Sequence, residues 1–494
     1  MSPRQCGRYC AIPVGLFLLT QVSFAPGCAV ESEKLADDAT SLHPLVLDRA
    51  PSQALAAYDQ EVGTAPSSMA KSTFTITVKG KLFYNDVREY GRWDLRTDMS
   101  GHKGSASGSD AEGTQNYLGA LDVVADVYEI DSAWCGGDDL VASATVGYDG
   151  SFSATFSASD SCAFDTTDVE IGVKFRLRFC DSETRCFSMR NEWGSTYELW
   201  WSGASSSNPI VMTKSGTRDL GSAVFQTSSK PADWDDDYSK AANHYASFVD
   251  ATRAWHIDND IPFRYDDYGE LKGEFPTNET STTTPNASKI RFADTKTYSS
   301  SEATFHEYGH VIHMRAWNGT TGDCGDCPGG DYGRDGDEGN WSNTTLEYPN
   351  TAFAEGFANF AVRVSSGKIT CAEYDTNRDV SPVEGSDGKS YARNVIKVLC
   401  DWYDDKNDDD PRYAGDGDYF EASDLYSVWY NLENMWDSSS SAERNAGLNI
   451  CDYVDYYIWD RMAASKVGSD HSWYEKTIIS LIYQNNVDCG HSLP

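Results

Sequence analysis

The sequence predicts a multidomain protein in which an N-terminal antiparallel β-sandwich precedes an α+β, mainly helical domain. At about 100–200 residues per domain, a chain of 494 residues is longer than one domain requires. Apolar and polar residues alternate along many short stretches of residues 72–228, whereas helical spacing of apolar residues dominates residues 229–494. Hydrophobic residues make up 40% of the chain and aromatic residues 13%, so a buried core is expected and global disorder is excluded.

Strand signals are dense in residues 72–228. The segment Val169–Phe179 alternates over a full strand, and Asp149-Gly150 supplies a turn between two others. The run GALDVVADVYEID, followed by DDLVASATVGYDGSFSATF, resembles transthyretin-like or carboxypeptidase-regulatory-like β domains. We find no chemistry in this domain and expect a spacer or folding support, with sugar or protein binding as the open alternative.

The first 28 residues are typical of an export signal. Arg4 and Arg8 precede an apolar stretch, Ala11–Phe24, whose 14 residues are fewer than the roughly 20 that span a bilayer. Small residues before Cys28 match a bacterial lipoprotein cleavage box, which would make Cys28 the lipidated first residue; ordinary secretory cleavage is the alternative. We therefore expect an exported protein, either a cell-envelope lipoprotein or secreted, that touches a membrane only through this anchor.

The segment at residues 29–71 is rich in Ala, Ser, Asp and Glu and has little periodicity. We expect it to be a flexible tether or a pro-segment.

The acidic composition excludes one class of partner. The net charge of −36 would repel phosphate backbones, so we expect no nucleic acid. Two acidic segments, Asp323–Glu338 and Asp404–Asp410, have the oxygen density of Ca²⁺ sites without the EF-hand spacing. Solvated loops are the simpler interpretation, and Ca²⁺ stays open as a second metal.

The cysteine count agrees with export. Ten cysteines follow Cys28, and an even number in an exported chain favours disulfides. Pairing each cysteine with its neighbour predicts the bridges 135–162, 180–186, 324–327, 371–400 and 451–489. For Cys324 and Cys327 the alternative is half of a thiolate zinc site, but the chain has no second CxxC to complete it.

The chemistry-bearing motif is HEYGH at residues 306–310. Ser299 and Glu302 form a capping box that predicts a helix start. Four residues apart on this helix, His306 and His310 project from one face and can both reach a single metal ion. Glu307 lies between them in sequence and is placed to act as a general base, as in the HExxH motif of zinc hydrolases. The competing interpretation is a structural helical His pair.

A second helix should supply the third ligand. Residues 351–363 (TAFAEGFANFAVR) are amphipathic, and Glu355 is the acid at their centre. A carboxylate on an apolar helix face is unfavourable unless it is paired or binds metal. Asn359, one turn later, could orient a ligand histidine, and Gly356 could let the two helices approach closely. We expect His313 to be a pocket residue or to support the ligands.

On these residues the chain resembles the gluzincin metallopeptidases, since HEYGH followed by AEGFANF looks like the HExxH…E pairing of thermolysin- and fungalysin-type enzymes. The resemblance covers residues 238–365 and implies a gluzincin-like domain at residues 229–494. It also implies one Zn²⁺ held by His306, His310 and Glu355, with Glu307 as base for a metal-activated water. Those families carry an acid where this chain has Asn359, which departs from the pattern.

The resemblance further implies a peptide or protein substrate, paired with a short edge strand that we expect at residues 288–292. Tyr426, Tyr430 and His471 are candidates for stabilising the oxyanion, although none lies in a motif.

Two other functions stay open at this point. One is a zinc hydrolase acting on a non-peptide substrate, and the other is a non-enzymatic surface binding protein with a structural zinc site.

Overall fold

The structure is a computed structural model that describes part of the chain. The chain divides into two units, Met1–Ala65 and Pro66–Pro494, and every described residue lies in the second. The described residues are 73–88, 117–131, 137–159, 168–181, 185–227, 236–279, 281–294, 301–320, 344, 346–366, 371, 388–403, 425–456, 479, 482–483 and 485–490. The predicted export signal, Cys28, the segment 29–71 and both acidic loops therefore lie outside the described residues.

Fourteen strands are present in this part of the chain. They are β1 (Phe74–Asn85), β2 (Tyr117–Gly119), β3 (Val124–Glu129), β4 (Asp139–Thr145), β5 (Ser151–Ala158), β6 (Val169–Arg176), β7 (Arg178–Asp181), β8 (Arg185–Arg190), β9 (Glu198–Trp200), β10 (Ile210–Met212), β11 (Gly216–Val224), β12 (Leu271–Thr277), β13 (Thr283–Asn286) and β14 (Lys289–Ala293).

Two sheets account for most strands before residue 228. The first has the order β11-β1-β2 with β5 also on β1, and the second has the order β10-β6-β3-β4 with β9 also on β6. Every pairing in the two sheets is antiparallel except that of β1 with β11, which is parallel. Phe152 of β5 meets Phe175 of β6 edge to face at 5.3 Å, so the alternating apolar residues of the two sheets meet in a common core.

A third sheet joins the two halves of the described chain. Its order is β13-β14-β12-β8-β7, in which β12 runs parallel to both β8 and β14. The predicted boundary at residue 228 thus falls between strands that one sheet connects. The expected strand at residues 288–292 is present as β14, but β13 covers its outer side, so β13 and not β14 forms this edge.

Two helices lie between β11 and β12 in the chain, and the other described helices follow β14. In chain order, the helices are α1 (Asp237–Thr252), α2 (Tyr265–Tyr268), α3 (Ser301–Ala316), α4 (Pro349–Ser365), α5 (Ala392–Tyr403), α6 (Leu425–Ser438) and α7 (Ser441–Ala446). A π-helical turn at Arg253–Ile257 extends α1. Buried Phe248 of α1 contacts Phe292 of β14 and Tyr308 of α3, which places α1 between the third sheet and α3. None of the described helices is long and apolar enough to cross a membrane.

Three predicted disulfides are confirmed. They join Cys180 to Cys186, Cys371 to Cys400, and Cys451 to Cys489. Cys135, Cys162, Cys324 and Cys327 lie outside the described residues.

Candidate metal centre

The two motif histidines face each other on α3. His306 Nε2 and His310 Nε2 are 3.2 Å apart, and the two rings meet at 86°. This arrangement follows from their spacing, because residues four apart lie one above the other on a helix surface. Ser299 lies outside the described residues, and the helix begins at Ser301.

Helix α4 packs very closely against α3 beside this pair. The contact is made at Gly309, where a Cβ atom would lie 2.7 Å from both Ala358 Cα and Ala361 Cβ. No side chain larger than hydrogen fits there without moving a backbone. The sequence assigns this role to Gly356, but Gly356 faces α5, where a Cβ would lie 2.5 Å from Val395 Cγ1. The glycine inside the HEYGH motif is therefore the one that lets the two helices meet.

Glu355 of α4 completes the group. One carboxylate oxygen lies 3.2 Å from His306 Nε2, and the other lies 3.6 Å from His310 Nε2. The residue is only 5% exposed. The predicted trio His306, His310 and Glu355 is thus brought together, and it could hold a metal ion.

These separations fit a zinc ion. Zinc takes nitrogen and oxygen ligands at about 2.0–2.1 Å in a tetrahedron, which requires neighbouring ligand atoms to be about 3.3–3.4 Å apart. His306 Nε2 and His310 Nε2 are 3.2 Å apart, and each has a different oxygen of Glu355 beside it, at 3.2 and 3.6 Å. Two imidazoles and one carboxylate are also a donor set that zinc hydrolases use.

Burial favours the neutral form of His310. Burial lowers the pKa of His310 to about 4, against the opposing influence of Glu355. Burial alone would lower the pKa of His306 too, but the hydrogen bond and charge of Glu355 raise it above its ordinary value. A metal ion would compete with that proton, because ligand imidazoles bind in the neutral form.

Glu307 of α3 contacts the edge strand β13. Its Oε2 accepts a hydrogen bond from Thr284 Oγ1 at 2.6 Å. Burial raises the pKa of Glu307 to about 7, while His306 and the Thr284 hydrogen bond act in the lowering direction. A buried glutamate thus lies next to the His pair in sequence and within electrostatic reach of it, since its charge also influences His306.

Two further predicted residues flank the group. The Asn359 side chain donates to the Glu355 carbonyl at 2.9 Å, and its hydrogen bond to His306 contributes to the raised pKa of that histidine. His313 is fully buried, with its ring 4.1 Å from that of Trp317 and 5.6 Å from that of Phe353. Neither ring nitrogen of His313 has a hydrogen-bond partner, so His313 contributes packing beneath the His pair.

Two of the three oxyanion candidates lie on α6. Tyr426 and Tyr430 stack on each other along α6 at 6.0 Å, and each is 40% exposed. His471 lies outside the described residues. The oxyanion role of all three stays a prediction.

Sequence reasoning missed Thr284. Thr284 lies on β13 in a polar segment, and the run Thr282–Thr284 was the available signal because β-branched residues favour strands. Its contact with Glu307 had no signal at all, since the two residues are 23 positions apart.

Comparisons with known proteins leave the family open. No protein-family model matches the chain, and no curated protein matches it. Among solved structures, a 9R-lipoxygenase from Cyanothece aligns over 41% of this chain and 26% of its own, with 13% identity and a TM-score of 0.14. So low a TM-score carries no argument about fold or function.

Proposed function

We propose that this protein is an exported zinc-dependent endopeptidase. The observation that carries the proposal is that His306, His310 and Glu355 come together as a group that could hold a metal ion, with buried Glu307 between the two histidines in sequence. When bound, zinc would supply a Lewis acid that activates water and polarises a carbonyl.

Glu307 would act as the general base. In this role it takes a proton from the attacking water and then passes it to the leaving amine. The Thr284 hydroxyl holds one of its carboxylate oxygens, which leaves the other oxygen for the proton. Burial of the carboxylate keeps bulk water from competing for that oxygen.

A peptide substrate is favoured by the edge strand beside the base. β13 pairs with β14 on one side, and its other side is an edge of the described sheet. An extended peptide can add to such an edge through main-chain hydrogen bonds. Because Thr284 lies on β13, a peptide paired there would run past Glu307.

An open coordination position argues for catalysis over a structural zinc site. Structural zinc sites are closed by four protein ligands, whereas catalytic sites have three and a position for water. Among the described residues, the group comprises three ligands. The proposal of a catalytic site depends on that count.

The disulfides support the proposal that the protein is exported. Three disulfides are typical of an oxidising environment outside the cytoplasm. We propose that the protein acts in the cell envelope, tethered through Cys28, or as a secreted enzyme, and that its partners are peptides or proteins.

Metal analysis and casein cleavage by the purified protein and its Glu307→Gln variant test the proposal. We expect about one zinc per chain in both proteins and a loss of turnover of at least about 100-fold in the variant, the lower range for a general base. Glu192→Gln, which changes an exposed carboxylate in the turn between β8 and β9, is the matched control and should keep full activity.

The outcomes separate the alternatives. Zinc without cleavage of casein or peptides would point to a non-peptide substrate or a structural site. Unchanged turnover in Glu307→Gln would remove Glu307 from the chemistry, and absence of zinc would remove the metal centre.

A further inference from the structure

The Thr284 hydroxyl is the one described side-chain contact between the edge strand and Glu307. Thr284 Oγ1 lies 2.6 Å from Glu307 Oε2 and 3.1 Å from the Glu307 main-chain oxygen. A hydroxyl has a single proton to donate, and the shorter contact to a carboxylate is the stronger of the two. The Thr284 hydroxyl therefore donates its proton to the Glu307 carboxylate oxygen Oε2.

The strand that carries Thr284 is fixed to the metal-binding helix at its far end. Arg315, in the last turn of α3, donates from Nε to the carbonyl of Ala287 at 2.8 Å. Arg315 is only 2% exposed, and its guanidinium lies 4.2 Å from the centre of the Phe263 ring. Antiparallel pairing of Asn286 with Lys289 adds a second restraint. The position of the hydroxyl is thus set by contacts that do not involve Glu307.

We propose that Thr284 is a positioning residue that fixes the Glu307 carboxylate by binding Oε2 and so directs Oε1 toward the attacking water. The inference rests on the proposed function for its role in turnover. A glutamate side chain has several rotatable bonds, and an unheld carboxylate would spend time in orientations that cannot accept the proton. The residue acts through Glu307 and touches neither metal nor substrate in this role.

Two substitutions at residue 284 isolate the hydroxyl. Thr284→Val keeps the side-chain shape and removes the donor, whereas Thr284→Ser keeps the donor. Thr283→Val is the matched control, because side chains alternate along a strand and Thr283 faces the other side of β13.

We expect Thr284→Val to lower kcat by about 10- to 100-fold, the range for losing a hydrogen bond to a charged group. KM and zinc stoichiometry should stay near the wild-type values, since neither substrate pairing nor a ligand is altered. Thr284→Ser should recover most of the loss, and Thr283→Val should match the wild type. Crystal structures should show the Glu307 carboxylate displaced in Thr284→Val and retained in Thr284→Ser.

Three results would overturn the inference. They are wild-type kcat in Thr284→Val, a loss that appears only in KM or zinc content, and an unmoved carboxylate in the Thr284→Val crystal structure. If the wild type itself cleaves no peptide, the proposed function fails, and the carboxylate positions in the two variant structures then decide the inference alone.

Discussion

Two clusters of buried polar side chains lie along α3, and they are built on different principles. At the start of the helix, Arg88 contacts Asp86 and Asp250, each at 2.9 Å, and Ser247 links this cluster to Ser301. Arg88, Asp86 and Asp250 are all at most 5% exposed. Each of these contacts joins a donor to an acceptor.

In the middle of the helix, the His306–His310–Glu355 group brings two imidazoles and a carboxylate together, and this group could hold a metal ion. Two imidazole nitrogens face each other at 3.2 Å, and a carboxylate faces both. The difference between the two clusters shows that burial of charged side chains does not by itself indicate a metal site. A cluster with its own guanidinium is explained by folding, whereas two imidazoles and a carboxylate in contact could hold a cation from outside the chain.

We expect the largest effect, a loss of stability, from a substitution that disrupts the Arg88 cluster. Arg88→Met leaves two buried carboxylates without their guanidinium, which should lower the free energy of unfolding by about 3–5 kcal/mol. Urea denaturation measures the change, and the exposed-site variant Arg218→Met is the control. A loss below about 1 kcal/mol, the level of a surface pair, would mean that the cluster is not the folding element described above.

The next effect separates the clusters by zinc affinity. Glu355→Ala removes a ligand and should weaken zinc binding by more than about 100-fold, the upper range for residues that only support ligands. In Arg88→Met the zinc affinity of the folded fraction should match the wild type. Competition with a chromophoric chelator measures both values. Equal affinities in Glu355→Ala and the wild type would place the metal elsewhere.

The smallest expected effect concerns His313, a buried histidine whose two ring nitrogens have no hydrogen-bond partner. Burial lowers the pKa of His313 to about 3, so it is packed as a neutral ring. His313→Leu removes two unpaired nitrogens at similar volume and should change stability by less than about 1.5 kcal/mol, in either direction. Thermal unfolding in excess chelator and zinc titration both test this. A large drop in zinc affinity would instead give His313 a role in holding the ligands.

Local spacing was sufficient to predict the ligand group. The i,i+4 separation of His306 and His310 and the apolar surroundings of Glu355 in TAFAEGFANF predicted the trio that the structure brings together. Both signals depend on the spacing of residues along a helix, and helix geometry places residues three or four apart on the same face. The same local logic predicted three disulfides between neighbouring cysteines.

Local spacing did not predict contacts between elements that are distant in the sequence. The sequence assigned the edge to residues 288–292, whereas β13 occupies it, because the order of strands in a sheet depends on pairing partners and not on any one segment. The helix contact falls at Gly309 and not Gly356 for a related reason. Both glycines permit a close approach, and only the packing of the neighbouring helices decides which one is used.

The amino-acid sequence by itself determined which side chains could form a metal centre, since residue chemistry and helical period are local properties. Only the tertiary structure decided that Glu355 reaches both histidines, that Thr284 holds Glu307, and that Arg88 reaches Asp250. Each of these contacts joins segments far apart in the chain, and their distances are fixed by the packing of whole helices and sheets.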